Sequence, residues 1–403
     1  MNILKYIYLI LVIYFYIYNP IFQRLGFGSI KPLLFLSVLY FLNTKRNIQI
    51  LSHYKIEILF TLIIILYSIL TMIWGSDNSG LISAYLHLIW FMEGFIIPLF
   101  VFYIFKIQII KFKVNNLLVL VGSIAALISF ILILNPELNS YVRNTLIKDT
   151  LDNKNEDWTF RGFSVAESSS YGYGIVQALI FGIALFNIHK NKIFVLSLVI
   201  LTVSIFFNAR TGILIQFASI LFFVFFYKIG FLKKYFIISL SVLIGVLLFN
   251  YTSILVEHEK TTDWGLDFFT QLTFFISGQE HDGAFSSLLG EMIFLPEKFS
   301  HIIFGEGRDV FYDNVKNSDV GFIVQVFKGG VVYLILLLLF LGYFFNNFHK
   351  SNNDVKILFF FLTVLIIANM KGNALFVPNS FFRVITLYYV INKELNRISL
   401  NAE

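Results

Sequence analysis

Cysteine is missing from this chain, so disulfides and thiolate metal sites are excluded. Proline is scarce, with 6 in 403 residues, and acidic residues number only 24. Charged residues of all kinds make up 13% of the sequence, against roughly 25% in a soluble domain. Such a chain has too few polar side chains to cover a water-facing globule, which excludes an ordinary soluble fold. Lys and Arg exceed Asp and Glu to give a net charge of +6, but the cations are dispersed among apolar runs. A gathered basic patch of the nucleic-acid-binding kind is therefore absent, and no nucleic-acid partner is expected. The N-terminal stretch has no small-residue cleavage site and reads as a retained first span. Internal repeats, heptads and low-complexity tails are missing too, so residues 1–403 read as one polytopic membrane domain.

What fills the chain is apolar. Hydrophobic residues make up 58% and aromatics 18%, with a mean hydropathy of +0.80. A membrane span needs roughly twenty mostly apolar residues. On that scale the sequence predicts an all-α integral membrane protein with about twelve transmembrane helices. The spans fall at residues 3–18, 30–42, 56–74, 81–105, 114–134, 165–188, 193–207, 211–227, 235–255, 320–345, 355–369 and 381–391. With the N-terminus cytoplasmic, Lys45, Arg46, Lys106, Lys111, Lys113, Lys190, Lys192, Lys228, Lys233, Lys234, Lys350, Lys356, Lys393 and Arg397 all fall on the cytoplasmic side. Both termini are then cytoplasmic, and residues 135–164 and 256–318 form two large extracytoplasmic loops. In the second, Phe285, Leu288, Leu289, Met292 and Leu295 recur at helical spacing over residues 284–295, the pattern of a helix lying in the membrane interface and ended by Pro296.

The polar residues that matter are few. The second loop closes on HIIFGEGRDVFYDNVKNSDVGFIVQVFKGG, where Ser318 and Asp319 stand as N-cap residues before the apolar run at 320–345. A carboxylate is thus held at the mouth of a membrane helix, either as a cap or as a reacting group. Arg161 lies where the first loop meets its span; it either snorkels at the interface or offers its planar fork to phosphate oxygens. Arg210 sits between two apolar runs with almost no loop, at a depth where it needs an anionic partner, a lipid phosphate being the plainest one. Arg308, beside Gly305 and Gly307, and Arg383 are expected on the same outer surface. Several arginines converging there would make a site for a doubly charged group such as pyrophosphate. Lys328 either lines a cavity or snorkels outward, and Glu93, near His87 and Pro98, is either paired with an Arg or touches substrate. Glu280, His281 and Asp282 look superficially like metal ligands but lack a second partner at fixed spacing, so no metal is expected.

Four stretches carry a resemblance: RGFSVAESSSYGYG, FFNARTG, HIIFGEGRD and NSDVGFIVQVFKGGVVYL. In them the chain resembles the bacterial O-antigen polymerases (Wzy type) of the O-antigen ligase and polymerase superfamily, membrane glycosyltransferases of the lipid-carrier-dependent, C-type class. Ten residues separate Arg161 from Gly172, the Arg-x10-Gly pattern of some polymerase loops, and FFNARTG is similar to the Ser-Arg-Thr-Gly stretch that opens a span in the superfamily. The ligases carry His-Asn where this chain has Ser318–Asp319, which favours a polymerase over a ligase. The resemblance implies undecaprenyl-pyrophosphate-linked oligosaccharides as substrates on the periplasmic face of the bacterial inner membrane, in O-antigen, capsule or exopolysaccharide synthesis. It implies membrane lipid, a chain-length regulator and a flippase as partners, and no cofactor. On this reading Asp319 accepts the proton of the attacking sugar hydroxyl, and Arg161 and Arg210 stabilise the leaving pyrophosphate. Arg308, Arg383, Gly172, Ser318 and Glu167 contact substrate, with Glu167 and His301 in reserve as bases. The alternatives are an O-antigen ligase, or a lipid-linked oligosaccharide flippase or secondary transporter.

Overall fold

The computed structural model describes residues 2–43, 49–75, 79–146, 162–168, 171–188, 193–227, 230, 239, 274, 277, 291–311, 317–351 and 355–400. Among them the chain is mostly helical. Four helical stretches, Gln49–Ile73, Ser79–Phe112, Val114–Leu134 and Gly321–His349, are long and apolar enough to cross a membrane, and several shorter apolar helices accompany them. Outward-facing Leu59, Leu62 and Leu66 are each half exposed or more, a stripe that lipid would cover and water would not. The protein is membrane-embedded on this evidence.

The chain divides into two compact units. The first draws on residues 1–32, 101–270 and 359–364. Its helices are α1 (Asn2–Tyr18), the later part of α5 (Ile97–Phe112), α6 (Val114–Leu134), α7 (Pro136–Tyr141), α8 (Tyr171–Phe186), α9 (Ile193–Asn208) and α10 (Arg210–Phe226). A small antiparallel pairing of Ile21–Phe22 with Phe27–Gly28 follows α1. The fully buried α8 is the axis of this unit, packed by α6, α9 and α10. Its glycines let those neighbours in: a Cβ on Gly174 would strike the Ala209 side chain, and one on Gly182 would strike Phe360.

The second unit comprises residues 33–100, 271–358 and 365–403. It holds α2 (Ile30–Asn43) from Leu33 onward, α3 (Lys55–Leu70), α4 (Ser79–Phe91), α11 (Phe299–Phe304), α12 (Gly321–Ser351), most of α13 (Val355–Lys371) and α14 (Ser380–Leu400). A π-helical turn at Met92–Ile96 joins α4 to α5. Aromatic rings fill the core: Trp90 meets Phe95, Phe340, Phe376 and Phe382 edge-on.

Most described helix limits follow the expected spans to within a few residues, although the runs expected to end at 105 and 345 continue to Phe112 and Ser351; three further differences have visible causes. The span expected from 165 begins at Tyr171: residues 164–168 are bent rather than helical, and the Ser168 Oγ accepts the Gly172 N–H at 3.1 Å ahead of the helix. The last span runs on to Leu400, its charged end satisfied by partners such as Glu57, 2.6 Å from Lys393. The run expected as one helix from 320 is broken inside, at Gly330 (φ 72, ψ −173). The expected span at 235–255, Arg161, Glu280, His281, Asp282 and most of the expected interfacial helix lie outside the described residues. Of that interfacial helix, residues 291–295 are described: Glu291 is helical, Met292 lies in a turn, and Ile293 to Leu295 are not helical.

Candidate functional site

The polar chemistry of the second unit gathers around α12. Its first half is packed by Val310, Val320, Ile323, Val324 and Phe327, with Met292, Phe294 and Phe311 against them. Ser318 anchors the entry: its N–H donates to the Val310 carbonyl at 3.0 Å, and its Oγ donates to the Met292 carbonyl at 2.7 Å. The same Oγ accepts the Val320 N–H at 3.1 Å. These bonds bury Ser318 completely. The first α-helical bond runs from the Val324 N–H to the Val320 carbonyl, so Val320 and not Ser318 or Asp319 is the capping position.

Asp319 is left with its carboxylate about one third exposed and 3.5 Å from the Lys371 ammonium, at the C-terminal end of α13. One turn into α12, the Gln325 amide donates to both Asn369 and Asn373, at 3.1 and 3.0 Å. The mouth of α12 is thus a polar rim with a solvent-reachable carboxylate. The Ser318–Val310 bond lays the segment bearing Arg308 alongside the one bearing Asp319. Arg308 sits 3.5 Å from Glu306 with its guanidinium 5.5 Å over the Phe327 ring, and Glu306 also meets His301 at 3.5 Å.

That Gly-Glu-Gly-Arg-Asp loop repairs the break in α12. An interrupted helix frees carbonyls that must find donors at membrane depth. The Glu306 N–H reaches the Phe327 carbonyl at 2.8 Å, and the Tyr67 hydroxyl reaches the Gly329 carbonyl at 2.8 Å. Glycine is required for so close an approach: a Cβ on Gly305 would lie 2.6 Å from the Gly329 backbone. Lys328, the last side chain before the glycine pair, pairs with Asp309 at 2.8 Å and is buried. Beyond it Tyr333 bonds His87, whose Nδ1 lies 2.8 Å from the Phe376 carbonyl.

Arg383 is not on the surface, as the sequence led us to expect. It is buried in the first turn of α14 and pairs with Glu93, Nε at 3.0 Å and Nη2 at 2.9 Å from one carboxylate oxygen. Glu93 stands in the π turn, whose wider i→i+5 winding shifts its side chain relative to α4. Arg308 and Arg383 therefore serve separate carboxylates.

The remaining expected residues lie in the first unit. Arg210 is the first residue of α10, a helix end where a cation opposes the helix dipole. Gly172 sits in the first turn of α8, and the Glu167 N–H donates to the Tyr18 carbonyl at 2.8 Å. Sequence reasoning missed the break in α12 and the Tyr333–His87 and Lys328–Asp309 contacts. The Gly329–Gly330 pair inside an apolar run was the available signal.

Compared with known proteins, the chain matches no family model, no curated protein and no solved structure.

Proposed function

We propose that this protein is a membrane glycosyltransferase that polymerises oligosaccharide repeat units carried on undecaprenyl pyrophosphate. It would lie in the bacterial inner membrane with about twelve spans, both termini cytoplasmic and the loops at 135–164 and 256–318 outside. The observation that carries the reading is the mouth of α12. There the partly exposed Asp319 carboxylate and the Arg308-bearing glycine loop are tied into adjacent segments by the Ser318–Val310 bond. Chain extension needs a group to take the proton from the attacking sugar hydroxyl and cations to stabilise the leaving pyrophosphate. Asp319 supplies the first. Arg308 supplies part of the second, and Arg161 and Arg210 remain candidates for the rest. Arg383, committed to Glu93, acts as a structural cation in this scheme.

A second reading, a flippase or transporter for the same lipid-linked sugars, draws on one observation: α12 is discontinuous and flanked by buried ion pairs, as substrate-carrying helices in transporters are. The glycan banding pattern of cells lacking the protein separates the two. A polymerase leaves single-unit products and removes long chains, whereas a flippase removes every unit. Unchanged long chains would reject both. Reporter fusions at Asn153 and Gln279 test the topology; cytoplasmic signal at either site overturns the outer-face mechanism.

A further inference from the structure

Repair of the broken helix explains the Glu306 and Tyr67 bonds but not the charged recess beside them. Ser68, Thr71, Ser83, Lys328, Gly329 and Tyr333 line that recess. Lys328 is 6% exposed, and its ammonium is held by the Asp309 carboxylate at 2.8 Å. The Phe376 carbonyl can only accept, so His87 keeps its proton on Nδ1 and its Nε2 accepts from the Tyr333 hydroxyl. Tyr333 then contributes an acceptor oxygen, and the donors facing the recess are Lys328, Ser68 and Ser83. Ser83 Oγ is buried and makes no hydrogen bond among the described residues. The break adds a second source of positive potential, because a new helical segment starts at Val331. Two adjacent glycines bare the backbone at the same point.

A buried ammonium, an unused hydroxyl donor, a helix start and bare backbone make an oxyanion site, and one oxyanion, the Asp309 carboxylate, already holds its ammonium. We propose that Lys328 anchors the pyrophosphate of a prenyl-linked substrate and that Asp309 holds this place until the substrate displaces it. Exchange of one oxyanion for another keeps the cation paired throughout, which avoids stranding a bare charge at membrane depth. Asp309 is suited to leave. It is more exposed than its partner, 21% against 6%. Its Oδ1 accepts the Phe311 N–H at 3.0 Å, and its loop keeps a separate backbone hold on α12 through the Glu306 and Arg308 N–H groups at the Phe327 carbonyl. The choice of a prenyl pyrophosphate rests on the function proposed above; the oxyanion site does not.

The test is binding of farnesyl pyrophosphate to the purified full-length protein in phosphatidylcholine nanodiscs. Asp309→Asn removes the internal competitor and should tighten binding at least tenfold. A purely structural ion pair predicts unchanged or weaker binding in that variant, and this result would overturn the site. Lys328→Met should abolish binding. Because it strands Asp309, the double variant Asp309→Asn/Lys328→Met serves as the folded control; binding by the double variant at the level of Asp309→Asn would also overturn the site. Inorganic pyrophosphate that competes with the same ratio between variants supports headgroup recognition. Phosphatidylglycerol that erases the difference between variants assigns the recess to bulk lipid and rejects the proposal. The readout is independent of polymerisation. Variant-dependent binding in a protein whose deletion leaves glycan chains intact would retire the polymerase and leave the oxyanion site standing.

Discussion

The two units hold their cores together by different polar chemistry. In the first, the described buried polar groups are neutral. The Gln177 amide donates to the Tyr18 hydroxyl at 3.0 Å, Tyr173 donates to the Ala125 carbonyl at 2.9 Å, and the Asn208 amide donates to Ser129 Oγ at 2.9 Å. In the second, Glu57, Glu93, Lys328, Arg383 and Glu394 are all buried, and each has a charged partner. Hydroxyl and amide bonds are modest glue between membrane helices, about 0.6 kcal/mol on average. Buried charges are expensive and survive where they do something. The buried core of the first unit therefore reads as scaffold, and that of the second as the part where ligand or mechanism demands charge.

The sharpest way to break that contrast is the Glu93–Arg383 pair. Glu93→Gln or Arg383→Gln alone leaves a buried charge uncompensated and should cost about 3–5 kcal/mol, read as a large fall in the unfolding midpoint of the detergent-purified protein. The double variant Glu93→Leu/Arg383→Leu should recover much of that loss. If its function recovers too, the pair is structural; if stability returns without function, the second unit uses this pair in its chemistry. Single variants as stable as the parent would remove the contrast between the units.

The contrast was partly legible in sequence. Most helix limits were, since they depend on local hydropathy, and so was the depth of Glu93. Arg383 was placed at the surface because its partner lies 290 residues away in sequence, and no local pattern reports such a contact. The break at Gly330 was passed over for a related reason. A Gly-Gly pair in an apolar run fits a continuous helix as well as a broken one until another segment, here Gly305 to Gly307, is seen to fill the gap. Asp319 was read either as a cap or as a reacting group; the structure gives the capping position to Val320 because Ser318, anchored on Val310 and Met292, sets where the chain turns in.

Packing should give the next largest effect, now in the scaffold. Gly174→Ala places a methyl group against Ala209, where α8 meets the start of α10, and should cost about 1–3 kcal/mol as overpacking. The companion substitution Tyr173→Phe removes a hydroxyl shared between the Ala125 carbonyl and Ser204 Oγ and should cost roughly 1 kcal/mol. Both are read as unfolding midpoints. Equal losses from the two would mean that the first unit depends on its polar bonds as much as on close helix contact, contrary to the scaffold reading.

The smallest effect on stability, and the most telling on function, belongs to Asp319. Its contact with Lys371 is long, and both side chains are more than one third exposed, so solvent screens the pair to about 0.2–1 kcal/mol or less. Asp319→Asn and Lys371→Met should therefore fold and unfold almost as the parent does. If the carboxylate takes the acceptor hydroxyl's proton, Asp319→Asn should nonetheless lose roughly a hundredfold or more in polymerisation rate, because an amide cannot accept that proton. Lys371→Met, which keeps the carboxylate, should lose far less. Chain length made from purified lipid-linked repeat units reports both. A normally polymerising Asn variant would reduce Asp319 to an exposed partner of Lys371. The search for the base would then pass to His301 on α11, which already shares Glu306 with the Arg308 loop.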